Sequence, residues 1–216
     1  MRNPAEFLTE VSIWALPTIF AIILHEVMHG YVARMLGDNT AQEAGRLTLN
    51  PIAHIDLFGT IILPAVLLFM NLPVFGYAKP VPVDFRRLRN PRSGMIEVAA
   101  AGPLTNIALA TASAVAMRFL LPWAQQGAVP PYVGSFLIYT LQASVIINVA
   151  LAVFNLFPIL PLDGGRVMVG MLPYPVARQF VRLEPYGFLI LFVLLYTDTF
   201  QRVINPVINA IAGALL

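Results

Sequence analysis

The stretch from Val11 to Ala33 is apolar and long enough to cross a bilayer, yet it carries His25, Glu26 and His29 toward its C-terminal end. About twenty apolar residues suffice to span the hydrocarbon core. Ionisable side chains inside such a span are costly, and they face a protein interior or a wet cavity rather than lipid. The first helix must therefore pack among other helices that shield these three groups.

The rest of the chain supplies those partners. Further apolar stretches run over Leu57–Leu72 (short, with Pro64 in its middle), Gly94–Leu121, Ser135–Phe157 and Gly187–Tyr196. A tail from Val203 to Leu216 is apolar but interrupted by Asn205, Pro206 and Asn209. Of 216 residues 58% are hydrophobic and 11% charged, against roughly 25% charged in soluble domains. That shortfall excludes an ordinary soluble enzyme. With no cysteine, thiolate catalysis, disulfides and iron–sulfur clusters are excluded, and a metal needs His, Asp, Glu or water as ligands. The net charge of +2, with no dense basic–aromatic run, gives no sign of nucleic-acid binding. The N-terminal stretch outruns a signal peptide and lacks a small-residue cleavage site, so it reads as a retained membrane helix.

These features predict an all-α polytopic membrane protein, a bundle of about 4–6 transmembrane helices forming one domain over 1–216. The catalytic core spans about 11–166, and C-terminal helices about 186–216. Gly45–Asn50 alternates weakly, and Tyr77–Val83 is held extended by its prolines, so a small β element on the cytoplasmic side is expected. Ten of the thirteen Lys and Arg fall in Arg34–Arg92 and Arg166–Arg182, while Pro122–Gly134 has no charge. By the positive-inside rule both basic regions are cytoplasmic and the bare loop is external, with Arg2, Arg118 and Arg202 left outside.

His25-Glu-Val-Met-His29 matches H-E-x-x-H. Positions i and i+4 share a helix face, so both imidazoles can bind one zinc ion, and Glu26 beside them can act as general base. Catalytic zinc takes a third protein ligand and keeps a position for water. Asp163 is the favoured candidate, on a helix broken by Pro158 and Pro161 and followed by Gly164-Gly165. His54 and Asp56 beside a proline turn are rivals, better suited to local hydrogen bonds, and Glu97 is unassigned. Asn155, near the inner end of the fourth stretch, can donate to a developing oxyanion. Asn106 and Asn148 read as helix–helix glue, and Gly102 and Pro103 as packing or kink residues.

His25-Glu26-x-x-His29, then Ala101-Gly-Pro-Leu-Thr-Asn106, then Phe154-Asn155 with Pro161-Leu-Asp-Gly-Gly-Arg166 resemble, in that order, the site-2 protease family of intramembrane zinc metalloproteases. The resemblance covers roughly Val11–Arg166. It implies zinc-dependent cleavage of transmembrane segments, with His25, His29 and Asp163 as ligands and Glu26 as catalytic acid/base. It also implies that Asn155 contacts substrate or the oxyanion. A chain of this length has no room for a PDZ or CBS module. The rival functions are a zinc transporter or sensor, which has no need of Glu26 as a base, and a noncatalytic membrane chaperone.

Topology adds a constraint. His25, His29 and Asp163 must meet at one depth, nearer the cytoplasmic side, so the first helix runs inward from an external N-terminus. Leu57–Leu72 then cannot be a full crossing, and its shortness and Pro64 predict a re-entrant segment. The expected partners are the lipid bilayer and a transmembrane protein or peptide substrate.

Overall fold

A computed structural model describes residues 3–70, 72, 76–197 and 199–216. Arg2, residue 71 of the expected re-entrant stretch, and residues 73–75 just after that stretch lie outside the described residues. Among the described residues three helices are long and apolar enough to cross a membrane: α1 (Pro4–Met35), α4 (Pro91–Gln125) and α5 (Pro131–Asn155). They pack against one another, and only 17, 17 and 28% of their most apolar windows are buried inside the protein. The large side chains Trp14, Phe20, Phe119 and Trp123 point outward. The buried set is instead small, with Ala110, Ala114, Val145, Val149 and Ala212 forming one cluster. Small residues let helix backbones approach closely where lipid already solvates the bulky ones.

The helix ends follow local chemistry. Proline at the first position starts α4 and α5, where a missing N–H costs nothing. Left-handed Gly37 follows α1 and left-handed Gly127 follows α4. In both cases the next N–H returns to a carbonyl five residues earlier, Asp38 to Ala33 and Ala128 to Trp123.

Between α1 and α4 lie a single turn, α2 (Thr40–Glu43), a 3-10 turn at Pro51–His54, and a π turn at Leu57–Ile62 running into α3 (Leu63–Phe69). The apolar segment 57–69 is shorter than a span. After it the chain returns to its own start: the Tyr77 N–H donates to Gly59 O (3.1 Å) and the Thr60 hydroxyl to Tyr77 O (2.9 Å). No strand forms among the described residues, which corrects the expected β element. Gly45–Asn50 and Tyr77–Val83 bond to side chains and isolated carbonyls instead of to each other as a ladder. After α5 come α6 (Asp163–Met171), α7 (Tyr174–Val181), α8 (Gly187–Tyr196) and α9 (Thr199–Leu215). The tail is thus helical through Pro206, and Ala212, Ile208 and Leu215 pack into the α4–α5 cluster.

Candidate metal centre and cavity

His25 and His29 lie one turn apart on α1, and both are buried. Their rings meet edge to face with centroids 4.7 Å apart. Asp163 reaches them from the first residue of α6. That placement depends on Gly164 and Gly165: a Cβ on Gly164 would stand 2.1 Å from Leu156 O, and one on Gly165 2.5 Å from Leu160 N. The two glycines let α6 start against the backbone that leaves α5, which carries Asp163 back toward α1.

The three facing atoms form a triangle. His25 Nε2 is 3.1 Å from His29 Nε2 and 3.1 Å from Asp163 Oδ2, and His29 Nε2 is 3.3 Å from the same oxygen. Ligands about 2.0–2.1 Å from a tetrahedral zinc are about 3.3 Å apart, so the triangle has the size of one face of such a site. Protonation points the same way. His29 Nδ1 lies 2.7 Å from Val98 O, which can only accept, so that nitrogen carries the proton and Nε2 a lone pair. His25 Nδ1 lies 2.6 Å from Asn106 Oδ1. Asp163 Oδ2 is buried with no hydrogen-bond donor among the described residues. Two lone pairs and a carboxylate oxygen converging at this distance are mutually repulsive unless a cation sits among them. The donor set, two imidazoles and one carboxylate, suits zinc.

Glu26 is half-buried beside the triangle, and its Oε2 accepts the Val81 N–H at 2.9 Å. Val81 belongs to an extended ribbon whose alternate residues bond inward. The Lys79 N–H donates to His54 O (2.9 Å), and Arg46 donates to Lys79 O (2.8 Å). This ribbon, the 57–60 turn, α1, the end of α5 and α8 enclose a cavity of about 550 Å³. His25, Glu26 and Asn155 line it, with Ile22, Phe154 and Phe188 among its apolar walls.

Asn155 thus reaches the cavity, although one of its N–H groups is spent on Leu151 O (3.0 Å). The rival ligands stay out of the triangle. His54 lines the cavity but donates from Nε2 to Thr48 O (2.8 Å), Asp56 accepts from the Gly59 N–H (2.7 Å), and Glu97 is exposed. Sequence reasoning undervalued Gly102 and Asn106. A Cβ on Gly102 would lie 2.5 Å from His29 Nε2 and 2.6 Å from His25 Nε2, and Asn106 touches His25 directly. Their i, i+4 spacing at membrane depth was the available signal.

The chain is similar to known proteins. A family model described as peptidase family M50 matches residues 127–196, which include Asn155 and Asp163. The Bacillus subtilis (strain 168) protein YwhC, provisionally named a zinc metalloprotease, is 34% identical over 198 residues, covering 92% of this chain and 86% of that protein. Rip2 of Mycolicibacterium smegmatis, also provisionally named a zinc metalloprotease, is 28% identical over 185 residues, covering 85% of this chain and 66% of that one. No solved structure matches the chain significantly.

Proposed function

The chain belongs to peptidase family M50, the site-2 protease family of zinc metalloproteases, and from that membership we propose that it hydrolyses peptide bonds within or near transmembrane segments of membrane-protein substrates. The observation that carries this reading is the convergence of His25 Nε2, His29 Nε2 and Asp163 Oδ2, beside Glu26, where a helix apolar enough to cross a membrane carries both histidines and the glutamate.

In this reading His25, His29 and Asp163 hold the metal. Zinc bound there supplies Lewis-acid polarisation of the scissile carbonyl and makes water acidic enough to ionise near neutral pH. Glu26 accepts the proton of the attacking water and delivers it to the departing amine. The Val81 N–H steadies one carboxylate oxygen and leaves Oε1 for that transfer. The N–H of Asn155 not committed to Leu151 O donates toward the oxygen that gains charge. The apolar cavity wall favours aliphatic and aromatic substrate side chains, and it takes up an unwound segment whose own amides are free to react.

The chain acts as one multi-pass unit over 1–216, with the site nearer the cytoplasmic face. The return of Tyr77 to Gly59 and Thr60 supports re-entry of 57–72, because both ends of the segment then lie on one side. The test is metal analysis of purified protein together with cleavage of a panel of single-span substrates. Glu26→Gln is expected to retain zinc and lose cleavage, and Asp163→Ala to lose zinc. Unchanged cleavage by Glu26→Gln would return the protein to the transporter, sensor or chaperone classes. Full zinc occupancy in Asp163→Ala would remove that ligand.

A further inference from the structure

Behind His25 a line of buried amides crosses the helix bundle. Asn106 of α4 and Asn148 of α5 are 0% and 2% exposed. His25 Nδ1 is 2.6 Å from Asn106 Oδ1, Asn106 Nδ2 is 2.8 Å from Asn148 Oδ1, and Asn148 Nδ2 is 2.9 Å from the Ser144 backbone carbonyl. Ser144 Oγ also accepts from Asn148 (3.2 Å) and meets Ser113 Oγ at 2.8 Å.

The direction of this line is set at its far end. A backbone carbonyl can only accept, so Asn148 must turn its NH2 toward Ser144 and its oxygen toward Asn106. That oxygen in turn draws the Asn106 NH2, which also reaches Ala21 O at 3.4 Å. The Asn106 oxygen is left facing His25, which places the imidazole proton on Nδ1 and the lone pair on Nε2. We propose that Asn148 and Asn106 are positioning residues that fix the metal-binding tautomer of His25 from the Ser144 carbonyl. Without Asn148, only the long contact to Ala21 O at 3.4 Å opposes Asn106 turning over to present N–H to Nδ1, which shifts the proton to Nε2, the atom that must bind the metal. Partners that orient ligating histidines are typically worth 10–100-fold in metal affinity. This inference rests on the metal site proposed above.

The test measures zinc dissociation constants by chelator competition on the full-length protein, together with nitrogen NMR of labelled histidine in the metal-free form. Asn148→Leu and Asn106→Leu are expected to weaken zinc 10–100-fold, and in Asn148→Leu the proton of His25 moves toward Nε2. Asn148→Asp and Asn106→Asp, buried as neutral acids, put an O–H where the amide N–H stood and keep an oxygen at the decisive position, and are expected to stay within about threefold of wild type. Ser113→Ala, beyond the carbonyl that sets the direction, leaves affinity unchanged. Wild-type affinity in Asn148→Leu, or equal losses in the Asp and Leu variants, would reduce the asparagines to packing and overturn the proposal. If Asn148→Leu does not fold, the Asn106 pair carries the same contrast. A wild-type protein that binds no zinc at all would instead refute the metal site itself.

Discussion

Gly102→Ala adds one carbon at the point where α4 presses on the two imidazoles. That carbon would stand 2.5 Å from His29 Nε2 and 2.6 Å from His25 Nε2, whereas an ordinary contact is 3.4–4 Å. Either both rings retreat by about 1 Å or α4 moves off α1 by that amount. Metal–ligand distances tolerate only about 0.2 Å, so the displacement is several times what the site absorbs. We expect zinc affinity to fall 10–100-fold, roughly 1.4–2.8 kcal/mol. Overpacking adds about 1–3 kcal/mol of destabilisation in the metal-free protein. Chelator competition reads the first effect and a thermal melt the second. Gly213→Ala is the control, since nothing lies within 4 Å of its added carbon. Wild-type zinc affinity in Gly102→Ala would refute the claim that this close approach shapes the ligand pair.

Other sites give independent tests. Asp38 is fully buried and accepts from the Thr40 N–H (3.0 Å), the Thr40 hydroxyl and the Asp84 N–H (2.7 Å). Asp38→Ala is expected to lower stability by about 2–4 kcal/mol in a melt, and no change would mean that water replaces the carboxylate. Gly187→Ala would set a Cβ 2.0 Å from Leu160 O, so limited proteolysis should show loosening of α8 against the 156–162 turn. The Asp84 carboxyl sits below its ordinary value of 3.8, chiefly through the Arg86 side-chain hydrogen bond and then the Arg86 N–H. A depressed pKa stabilises above the unfolded value and is lost as pH falls through the folded one, so this group leaves stability flat from about pH 5 to 8. In Arg86→Ala its NMR titration midpoint should rise, and an unmoved midpoint would remove the guanidinium as the cause.

The candidate site was legible in the sequence where chemistry conflicted with surroundings. His25, Glu26 and His29 stand out because lipid penalises them, and Asp163 because prolines and paired glycines break its helix at the same depth. Helix existence was equally plain, although α1 starts at Pro4 and α4 ends at Gln125, beyond the hydrophobic limits read from composition. The expected strands failed for a specific reason. Prolines do hold residues 77–83 extended, but the ribbon's partners are Glu26, the His54 carbonyl and Gly59, scattered groups that alternation in the sequence does not reveal. Asn106 and Asn148 were visible as buried amides, yet their order from Ser144 to His25 depends on helix rotation and on which face of α5 meets α4. Neither is encoded in a local pattern.

The ribbon that touches Glu26 carries a counting rule. Tyr77, Lys79 and Val81 turn their N–H groups inward, while Pro80 and Pro82 occupy the outward places and have none to offer. Because an extended chain alternates sides with each residue, inserting one residue just before Pro80, or deleting Pro80 itself, exchanges the two sets. A proline then meets Glu26, and its carboxylate loses the donor that holds it. Length changes of two preserve the parity, so that stretch of chain can grow or shrink only in even steps.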